Sequence, residues 1–393
     1  MRRSYRILPI YTGDVSGACS ALYELGGLTV MHDPSGCNST YNTHDELRWY
    51  DEDSLIYISG LCERDAVMGN DAKFVDDIVT EAKKLHPKFV ALASSPVAYM
   101  TGTDFPALAK LIEEKIQVPV FAVPTNGMHD YVSGAGAAFR LVAERLVIPA
   151  VRKQKTSSED AAGKRSQKVN LLGVTPLDFG PQSCVDELCR NLASYGWEVN
   201  AVWAMGQTLE ELKRSDEAAV NLVVSSTGLA AARLLWEELQ MPYVVGTPFG
   251  SFTGSICESL TRVTEQEPYD LPVAYFKDRV EAPAEITVVG EPVTAGSFAA
   301  LIEQETGKAV RMLCPLEEWK GLLFENDLAV RGEEELERAL TGTKILIADP
   351  LYDSVCPKDC QLVQMPHIAF SGRIYAEKLP GLRKIIEEIR NLI

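Results

Sequence analysis

The sequence lacks the short motifs that define several common classes of protein. Its nine cysteines form no C-x-x-C pair, which excludes a local zinc knuckle. Neither the G-x-G-x-x-G fingerprint nor the G-x-x-x-x-G-K-S/T motif occurs, so the sequence does not support binding of NAD or ATP. It has no Ser-His-Asp order and no carboxylate pair that indicates a hydrolase. No segment approaches the roughly 18 uninterrupted apolar residues of a membrane helix.

Basic residues are scarce relative to acidic ones. The chain has 38 lysines and arginines against 55 aspartates and glutamates, so its formal net charge is −17. This excess of negative charge argues against nucleic acids and anionic membrane surfaces as partners. The run that follows the basic residues 1–6 is too short and too polar for a secretion signal. The nine unevenly spaced cysteines also fit a reducing compartment, so we expect a cytoplasmic protein.

Runs of apolar and β-branched residues alternate with amphipathic helical segments along most of the chain. The strand-like segment 88–93 follows the helical segment 74–85, and 118–123 follows 105–116. This alternation is typical of parallel sheets with crossover helices. Because 393 residues exceed what one hydrophobic core normally serves, we expect several domains. The predicted fold is α/β, with three Rossmann-like domains, each a mostly parallel sheet flanked by helices, around a central cleft.

The domain limits follow from a polar, basic and aperiodic segment at residues 151–168, which we interpret as a linker. The N-terminal Rossmann-like domain then comprises residues 1–150. A new strand–helix pattern starts after the linker and defines a second Rossmann-like domain at 169–283. The third takes up 284–393.

Some helix ends are marked by specific residues. Thr208 with Glu211 three residues later predicts an N-terminal capping box. Gly196 predicts the C-terminal cap of a helix at 183–195. Apolar spacing predicts a further helix at 229–239. These signals place elements of the second domain more closely than periodicity alone.

The first 62 residues contain three cysteines, Cys19, Cys37 and Cys62, each in or beside a glycine-containing turn. Cys37 ends a Pro-x-Gly-Cys turn that directly follows an apolar run. In a protein without signs of secretion, single thiolates on turns favour metal or cluster ligands over disulfides. Their wide spacing is compatible with convergence on one iron–sulfur cluster. Spacing alone leaves open that these cysteines are buried or incidental.

Several segments together resemble nitrogenase component 1 alpha and beta chains. Segments 17–22 and 32–37 resemble the family's start, where one cysteine precedes a helix and a second ends a His-Gly-Pro-x-Gly-Cys turn. Segment 59–69 resembles the family's Ser-Asp-Leu-x-Glu-x-Asp-x-Val-x-Gly-Gly loop, and 169–173 resembles the opening of its second domain. The resemblance extends over nearly the whole chain, which is shorter than true nitrogenase subunits.

The resemblance implies a cluster site in the N-terminal domain. Cys19 and Cys37 match two of the three family cysteines that bind the P-cluster, or its simpler 4Fe–4S counterpart, at the subunit interface. The place of the third cysteine holds Ser95 in this chain. Either Cys62 supplies the third ligand, or each chain contributes two thiolates. Ser95 is then a candidate oxygen ligand, with a helix cap as the alternative.

The resemblance also bears on the active-site cofactor. The molybdenum–iron cofactor of the family is held by a cysteine in the second domain and a histidine in the third. The matching second-domain segment, 220–226, has serine at the cysteine position, which argues against a molybdenum–iron cofactor and against dinitrogen reduction. The stretch before His367 resembles the family's Gln-Met-His sequence with one extra residue. His367 is therefore a candidate catalytic group in the cleft, with a structural or surface histidine as the alternative.

The function implied by the resemblance is that of a component 1-like subunit in a nitrogenase-like two-component reductase. Its partners would be an identical or similar second subunit and an ATP-dependent 4Fe–4S reductase component. Electrons would pass through the interface cluster to a small-molecule or tetrapyrrole substrate in the cleft between domains. The alternatives are a tetrapyrrole reductase subunit, a scaffold or assembly protein that binds a cluster or metallocofactor, and a homologue that has lost its cluster.

Overall fold

A computed structural model describes residues 6–36, 38–41, 45–157, 167–265, 279–317, 320–379 and 382–392. Parallel strands alternate with helices throughout these residues and form three separate sheets. The predicted α/β fold of three helix-flanked parallel sheets is thereby confirmed. Among the residues described, no helix combines the length and the apolar character that crossing a membrane requires.

The first sheet has four parallel strands in the order β2-β1-β3-β4. Its strands are β1 (Leu28–His32), β2 (Leu55–Ile58), β3 (Val90–Ser94) and β4 (Val120–Val123). Its helices are α1 (Asp14–Leu22), α2 (Glu63–Met68), α3 (Asp71–Leu85), α4 (Pro96–Met100), α5 (Phe105–Ile116), α6 (Tyr131–Val142) and α7 (Ile148–Ser157), and a π-helical turn at Ala143–Val147 joins the last two. Because the strands are parallel, the segments that follow them lie at one edge of the sheet.

The second sheet has the order β6-β5-β7-β8, again with all strands parallel. Its strands are β5 (Lys168–Leu172), β6 (Glu198–Val202), β7 (Val220–Val223) and β8 (Tyr243–Val245). Its helices are α8 (Pro176–Phe179), α9 (Gln182–Ser194), α10 (Leu209–Leu212), α11 (Leu229–Leu239) and α12 (Phe252–Glu265). The predicted capping box is present, because Thr208 and Glu211 bond each other's backbone N–H at the start of α10.

The third sheet has five parallel strands in the order β11-β10-β9-β12-β13. Its strands are β9 (Ile286–Val289), β10 (Val310–Cys314), β11 (Leu328–Ala329), β12 (Ile345–Ala348) and β13 (Gln361–Gln364). Its helices are α13 (Pro292–Thr306), α14 (Glu333–Ala339), α15 (Ile368–Ser371) and α16 (Leu382–Leu392). Apolar side chains from all three sheets belong to one continuous buried cluster, in which Phe139 lies beside Trp203.

The predicted linker is partly helical. Helix α7 includes residues 151–157, whereas 158–166 lie outside the described residues and Lys168 already begins strand β5. A polar, basic composition therefore did not prevent the first seven residues from extending a helix. The domain limits at 150, 168 and 283 stay predictions.

Helices α1 and α6 pack with their backbones in contact. A Cβ atom on Gly134 would lie 1.8 Å from the carbonyl oxygen of Asp14, and one on Gly17 would lie 2.2 Å from the carbonyl oxygen of Tyr131. Both distances are far below a van der Waals contact, so only glycine permits this approach. The contact fixes the helix that carries Cys19 against the helix that begins at Tyr131.

We expect Gly134→Ala to lower the free energy of unfolding by about 2–3 kcal/mol, because the new methyl group forces the two helices apart. Gly136→Ala on the same helix is the matched control. Its Cβ would meet only the carbonyl oxygen of Thr227 at 3.5 Å, an ordinary contact, and alanine favours a helix by up to about 1 kcal/mol. Urea denaturation of both variants measures the difference. Equal stability of the two would contradict the close packing.

Candidate functional site

The predicted cluster residues belong to one edge of the first sheet. The turn at 33–36 follows β1, Cys62 lies four residues beyond β2, and Ser95 directly follows β3. These three strands are parallel neighbours, so the three segments leave the sheet at its carboxyl edge. Cys37 itself lies outside the described residues. We call this region the cluster edge, defined by residues 33–36, 59–62 and 95.

The prediction that Cys19 lies in or beside a turn is wrong. Cys19 is in the middle of helix α1 and is fully buried. Gly17, which indicated a turn, is part of the same helix. Its buried cluster includes Met31 near the end of β1 and Ala93 near the end of β3. Burial raises the pKa of the Cys19 thiol, and the nearby Glu46 carboxylate raises it further. Cys19 is therefore a neutral thiol directly beneath the cluster edge.

Cys62 and Ser95 both stand at helix starts. The exposed Cys62 thiol donates a hydrogen bond to Asp65 Oδ2 at 3.0 Å, within its own helix α2. The buried Ser95 Oγ accepts from the Ala98 N–H at 3.4 Å and so caps α4, which is the alternative that the sequence left open. In the described part of the chain no three His, Cys, Asp or Glu side chains are grouped so that they could hold a metal ion. That Cys19, Cys37, Cys62 or Ser95 binds a cluster stays a prediction.

A buried network of ion pairs and hydrogen bonds lies against helix α1 near Cys19. Arg48 Nε lies 2.8 Å from Glu46 Oε1, and Arg48 Nη1 lies 2.8 Å from Glu24 Oε1. Arg48 Nη2 donates to the Ser20 carbonyl at 2.8 Å, and the Tyr41 hydroxyl donates to Glu46 Oε2 at 2.8 Å. Burial raises the pKa of Glu46, but attraction and hydrogen bonds from Arg48 outweigh it, so that the pKa is lowered overall. The network holds the residue next to Cys19 in place.

His32 ends strand β1 and lies beside the turn that leads to Cys37. Its ring packs on Phe74 with centroids 4.0 Å apart, and Nδ1 lies 2.7 Å from Ser59 Oγ. Burial lowers the pKa of His32 to about 4. His32 is therefore neutral at neutral pH and is held by a hydroxyl at the cluster edge.

A second polar group is buried where segments from the three sheets meet. Its centre is the fully buried Asp178 of α8. The Tyr131 hydroxyl donates a short hydrogen bond to Asp178 Oδ1, and Ser225 Oγ donates to Oδ2 at 2.6 Å. His367 Nε2 lies 3.5 Å from Oδ1. We call these four residues the junction site, because they come from α6, α8, the end of β7 and the segment after β13.

His367 lies at a small apolar cavity next to Asp178. Its side chain is 10% exposed, and neither ring nitrogen has a hydrogen-bond partner among the described residues. The ring lies against Phe370 with centroids 4.4 Å apart, and the backbone N–H donates to Asp349 Oδ2 at 2.8 Å. The cavity measures about 90 Å³ and is lined largely by apolar side chains. These include Phe179, Leu188, Phe249, Phe298, Met365 and Ile385. A catalytic role of His367 stays a prediction.

Glu291 adds a further buried carboxylate beside the junction site. Its Oε1 accepts from the Ser226 N–H at 2.8 Å and the Val293 N–H at 3.1 Å, and Oε2 accepts from the Thr294 N–H at 2.8 Å. Burial raises the pKa of Glu291, and the Asp178 carboxylate raises it further. Glu291 therefore caps α13 and binds the second sheet's β7 loop to the third sheet.

Sequence reasoning did not single out Asp178, Tyr131 or Glu291, and it noted the serines after β7 only as replacements for a cysteine. A signal was present, because Asp178, Ser225 and Glu291 each lie just beyond the end of a parallel strand. Ligand sites in α/β folds form at these carboxyl ends. Tyr131 carried no such signal, since it begins a helix.

A known protein family matches most of the chain. The family described as nitrogenase component 1 type oxidoreductase matches residues 15–312 of the 393. The matched range includes the whole cluster edge. At the junction site it includes Tyr131, Asp178 and Ser225 but not His367. The chain belongs to the nitrogenase component 1 type oxidoreductase family.

Curated relatives carry the same resemblance. The B subunit of light-independent protochlorophyllide reductase from Gloeothece citriformis is 29% identical over 231 residues, which is 58% of this chain and 45% of the relative. The protein of the same name from Zygnema circumcarinatum is 24% identical over 313 residues, 72% of this chain and 60% of the relative. The chain thus spans about half the length of the curated relatives it matches.

Solved structures share the fold. The structure described as nitrogenase Cp1 at pH 6.5 superposes with a TM-score of 0.65 at 16% identity, covering 100% of this chain and 94% of that chain. The structure described as nitrogenase Cp1 at pH 5 gives 0.63 at 16% identity, with 100% and 89% covered. At this identity the likeness establishes the three-sheet architecture.

We expect stability to fall on acidification because of His32. Since the unfolded chain binds a proton near pH 6.5 and the folded chain only near pH 4, this contribution is complete above pH 6.5 and is lost as pH falls through that window. Between pH 7 and 5 the wild type should lose up to about 2 kcal/mol more than His32→Gln in urea denaturation.

His129→Gln is the control for that titration, because the pKa of His129 is shifted in the opposite direction from that of His32. The hydrogen bond that the protonated His129 ring donates to the Glu317 carboxylate raises the pKa of His129, so its contribution is present at low pH and lost as pH rises. If His32→Gln were as sensitive to acid as the wild type, the buried neutral imidazole would be disproved.

We expect Tyr131→Phe to lower the free energy of unfolding by about 1–3 kcal/mol, the usual cost of leaving a buried polar group without its hydrogen-bond partner. The loss arises because Asp178 keeps its burial and loses a donor. Tyr195→Phe, at a tyrosine that is 50% exposed, should change stability by less than about 0.5 kcal/mol. Chemical denaturation compares the two. Similar small effects for both would show that the hydrogen bond from Tyr131 to Asp178 does not stabilise the fold.

Proposed function

We propose that the protein is the component 1-type subunit of a nitrogenase-like two-component reductase. The observation that carries this proposal is the presence of two separate buried sites in a fold of this family. One is a thiol beneath the cluster edge, and the other is an imidazole beside a carboxylate at the junction site. A reductase needs a place that passes electrons and a place that supplies protons, and these two sites meet the two needs.

We further propose that an iron–sulfur cluster, 4Fe–4S or P-cluster-like, binds at the cluster edge with Cys19 and Cys37 as ligands. Such a cluster would supply electrons one at a time. The donor set of the chain fits half of a four-thiolate site, because Cys62 and Ser95 already bond to neighbours in their own helices. A second subunit, identical or similar, would therefore contribute the remaining ligands.

The surface around the cluster edge supports such a subunit interface. Val67 of α2 and Met100 of α4 are each 78% exposed, and Met68 and Met128 are also largely exposed. These side chains lie on segments that follow β2, β3 and β4, so they surround the cluster edge. Large apolar side chains grouped on a surface are typical of sites that a partner covers. We propose that the second subunit covers them.

In this proposal the junction site supplies protons. The imidazole of His367 lies at the cavity, and its Nε2 is 3.5 Å from Asp178 Oδ1, so that a carboxylate faces the ring there. The Tyr131 and Ser225 hydroxyls hold Asp178 in its position. The cavity of about 90 Å³ is below the roughly 300 Å³ of small-molecule sites, so a larger substrate requires it to widen on assembly.

The ATP-dependent 4Fe–4S reductase component and a cytoplasmic location are proposed on the family resemblance. The names of the curated relatives favour one second candidate, a tetrapyrrole reductase subunit.

The experiment is purification without oxygen followed by iron and sulfide analysis and a dithionite-reduced EPR spectrum. One 4Fe–4S cluster shared by a symmetric dimer predicts about two irons per chain, whereas a cluster per chain predicts about four. Cys37→Ala and Cys19→Ala should lose the iron and the signal.

Cys257→Ala is the matched control, since Cys257 is also a buried helical cysteine but lies in α12. It should keep iron at the wild-type level. Failure to bind iron after reconstitution, or retention of iron in both Cys19→Ala and Cys37→Ala, would refute the reductase proposal.

A further inference from the structure

A second and larger cavity lies between helices α6 and α11 and the segment at 320–322. Its volume of about 320 Å³ falls in the range of small-molecule sites. The side chains that α6 presents there are mostly small, namely Ser133, Gly136 and Ala137, and this leaves room for the cavity. We call it the α6–α11 groove. Neither the cluster edge nor the His367 cavity includes it.

The mouth of the α6–α11 groove is positively charged. Arg233 of α11 and Lys320 line it, and both are exposed. Neither side chain forms an ion pair or a hydrogen bond with any residue in the described ranges. In a chain with a net charge of −17, two cations left without a carboxylate partner at one cavity favour an anionic ligand.

The inner end of the groove carries a hydroxyl group without a partner. Ser226 lines the groove and is 7% exposed, and its Oγ has no hydrogen-bond partner within the part of the chain that the structure describes. A buried polar atom without a hydrogen bond is costly, so a ligand group that bonds Ser226 Oγ would gain stability there. The Ser226 N–H is already used, because it donates to Glu291 Oε1 at 2.8 Å.

The neighbouring carboxylate limits what the inner end accepts. Because Glu291 lies against the backbone of Ser226, a second negative charge at this depth would be repelled. A carbonyl or hydroxyl group of a ligand would instead pair with Ser226 Oγ. Between the two ends, the apolar side chains of Val132, Leu229 and Leu322 suit a short hydrocarbon segment.

We propose that the α6–α11 groove binds a small organic monocarboxylate that has a neutral carbonyl or hydroxyl group at its other end. Its carboxylate pairs with Arg233 and Lys320 at the mouth, and its neutral polar group bonds Ser226 Oγ inside. This site is independent of the proposed cluster, so its occupancy needs neither iron nor a reductase partner.

The test is calorimetric titration of the full chain with 4-oxopentanoate as the probe. Three comparison probes are used. Hexanoate lacks the ketone carbonyl, glutarate carries a second carboxylate, and inorganic phosphate is an anion without a hydrocarbon segment. We expect 4-oxopentanoate to bind most tightly. Arg233→Gln and Lys320→Gln should each weaken it about tenfold, as expected for the loss of a charged partner.

Two variants test the geometry, and one controls for charge. Ala137→Leu should block binding by filling the groove, and Ser226→Ala should abolish the preference for 4-oxopentanoate over hexanoate. Arg140→Gln makes the same charge change on α6 outside the groove and should leave the affinity unchanged. Unfolding temperatures establish that each variant is folded.

Three results would overturn the proposal. They are no binding of 4-oxopentanoate to the wild type, unchanged binding in the Arg233→Gln/Lys320→Gln double variant, and phosphate or glutarate binding as tightly as 4-oxopentanoate. None of these results bears on the iron content, so this proposal and the reductase proposal fail separately.

Discussion

The contact between the backbones of α1 and α6 is the constraint on which both candidate sites depend. Gly17 and Gly134 allow the two helices to approach so closely that an added methyl group would overlap a carbonyl oxygen. Helix α1 carries Cys19 beneath the cluster edge, and α6 begins at Tyr131, which holds Asp178. A change in the spacing of these helices would therefore move both sites at once.

Asp14 extends this constraint to the loop after β4. Its carboxylate accepts from the N–H groups of Asn126 and Gly127 at 2.8 Å each, and its own helix is the one in contact with Gly134. The loop after β4 is thus held to helix α1 by hydrogen bonds to a carboxylate at the point where α1 contacts α6.

The two sites hold buried charge in different ways. Beneath the cluster edge, Glu46 is neutralised by Arg48. At the junction, Asp178 lies near a second buried carboxylate, Glu291, and its Oδ1 is 3.5 Å from His367 Nε2. Burial and then the Asp178 carboxylate raise the pKa of Glu291, whereas at Glu46 burial is outweighed by attraction and hydrogen bonds from Arg48, which lower the pKa overall.

Much of the fold could be predicted from the sequence, because its signals are local. The helices at 105–116 and 229–239 are found at those residues, and the capping box at Thr208 is present. The position of Cys19 within a helix was not predicted. A glycine in the sequence usually indicates a turn, whereas Gly17 lies inside helix α1 because α6 packs closely against it. Of the junction site only His367 was singled out, because its members lie up to 236 residues apart (Tyr131 to His367), and only the packing of three sheets brings them together.

The most direct test of this account compares iron and acid-labile sulfide in two variants prepared without oxygen, Cys19→Ala and Asp178→Asn, each taken from the folded fraction. We predict that Cys19→Ala loses its iron, whereas Asp178→Asn keeps the wild-type amount, because the proposed cluster and the junction site are separate. Loss of iron in Asp178→Asn together with its retention in Cys19→Ala would contradict it.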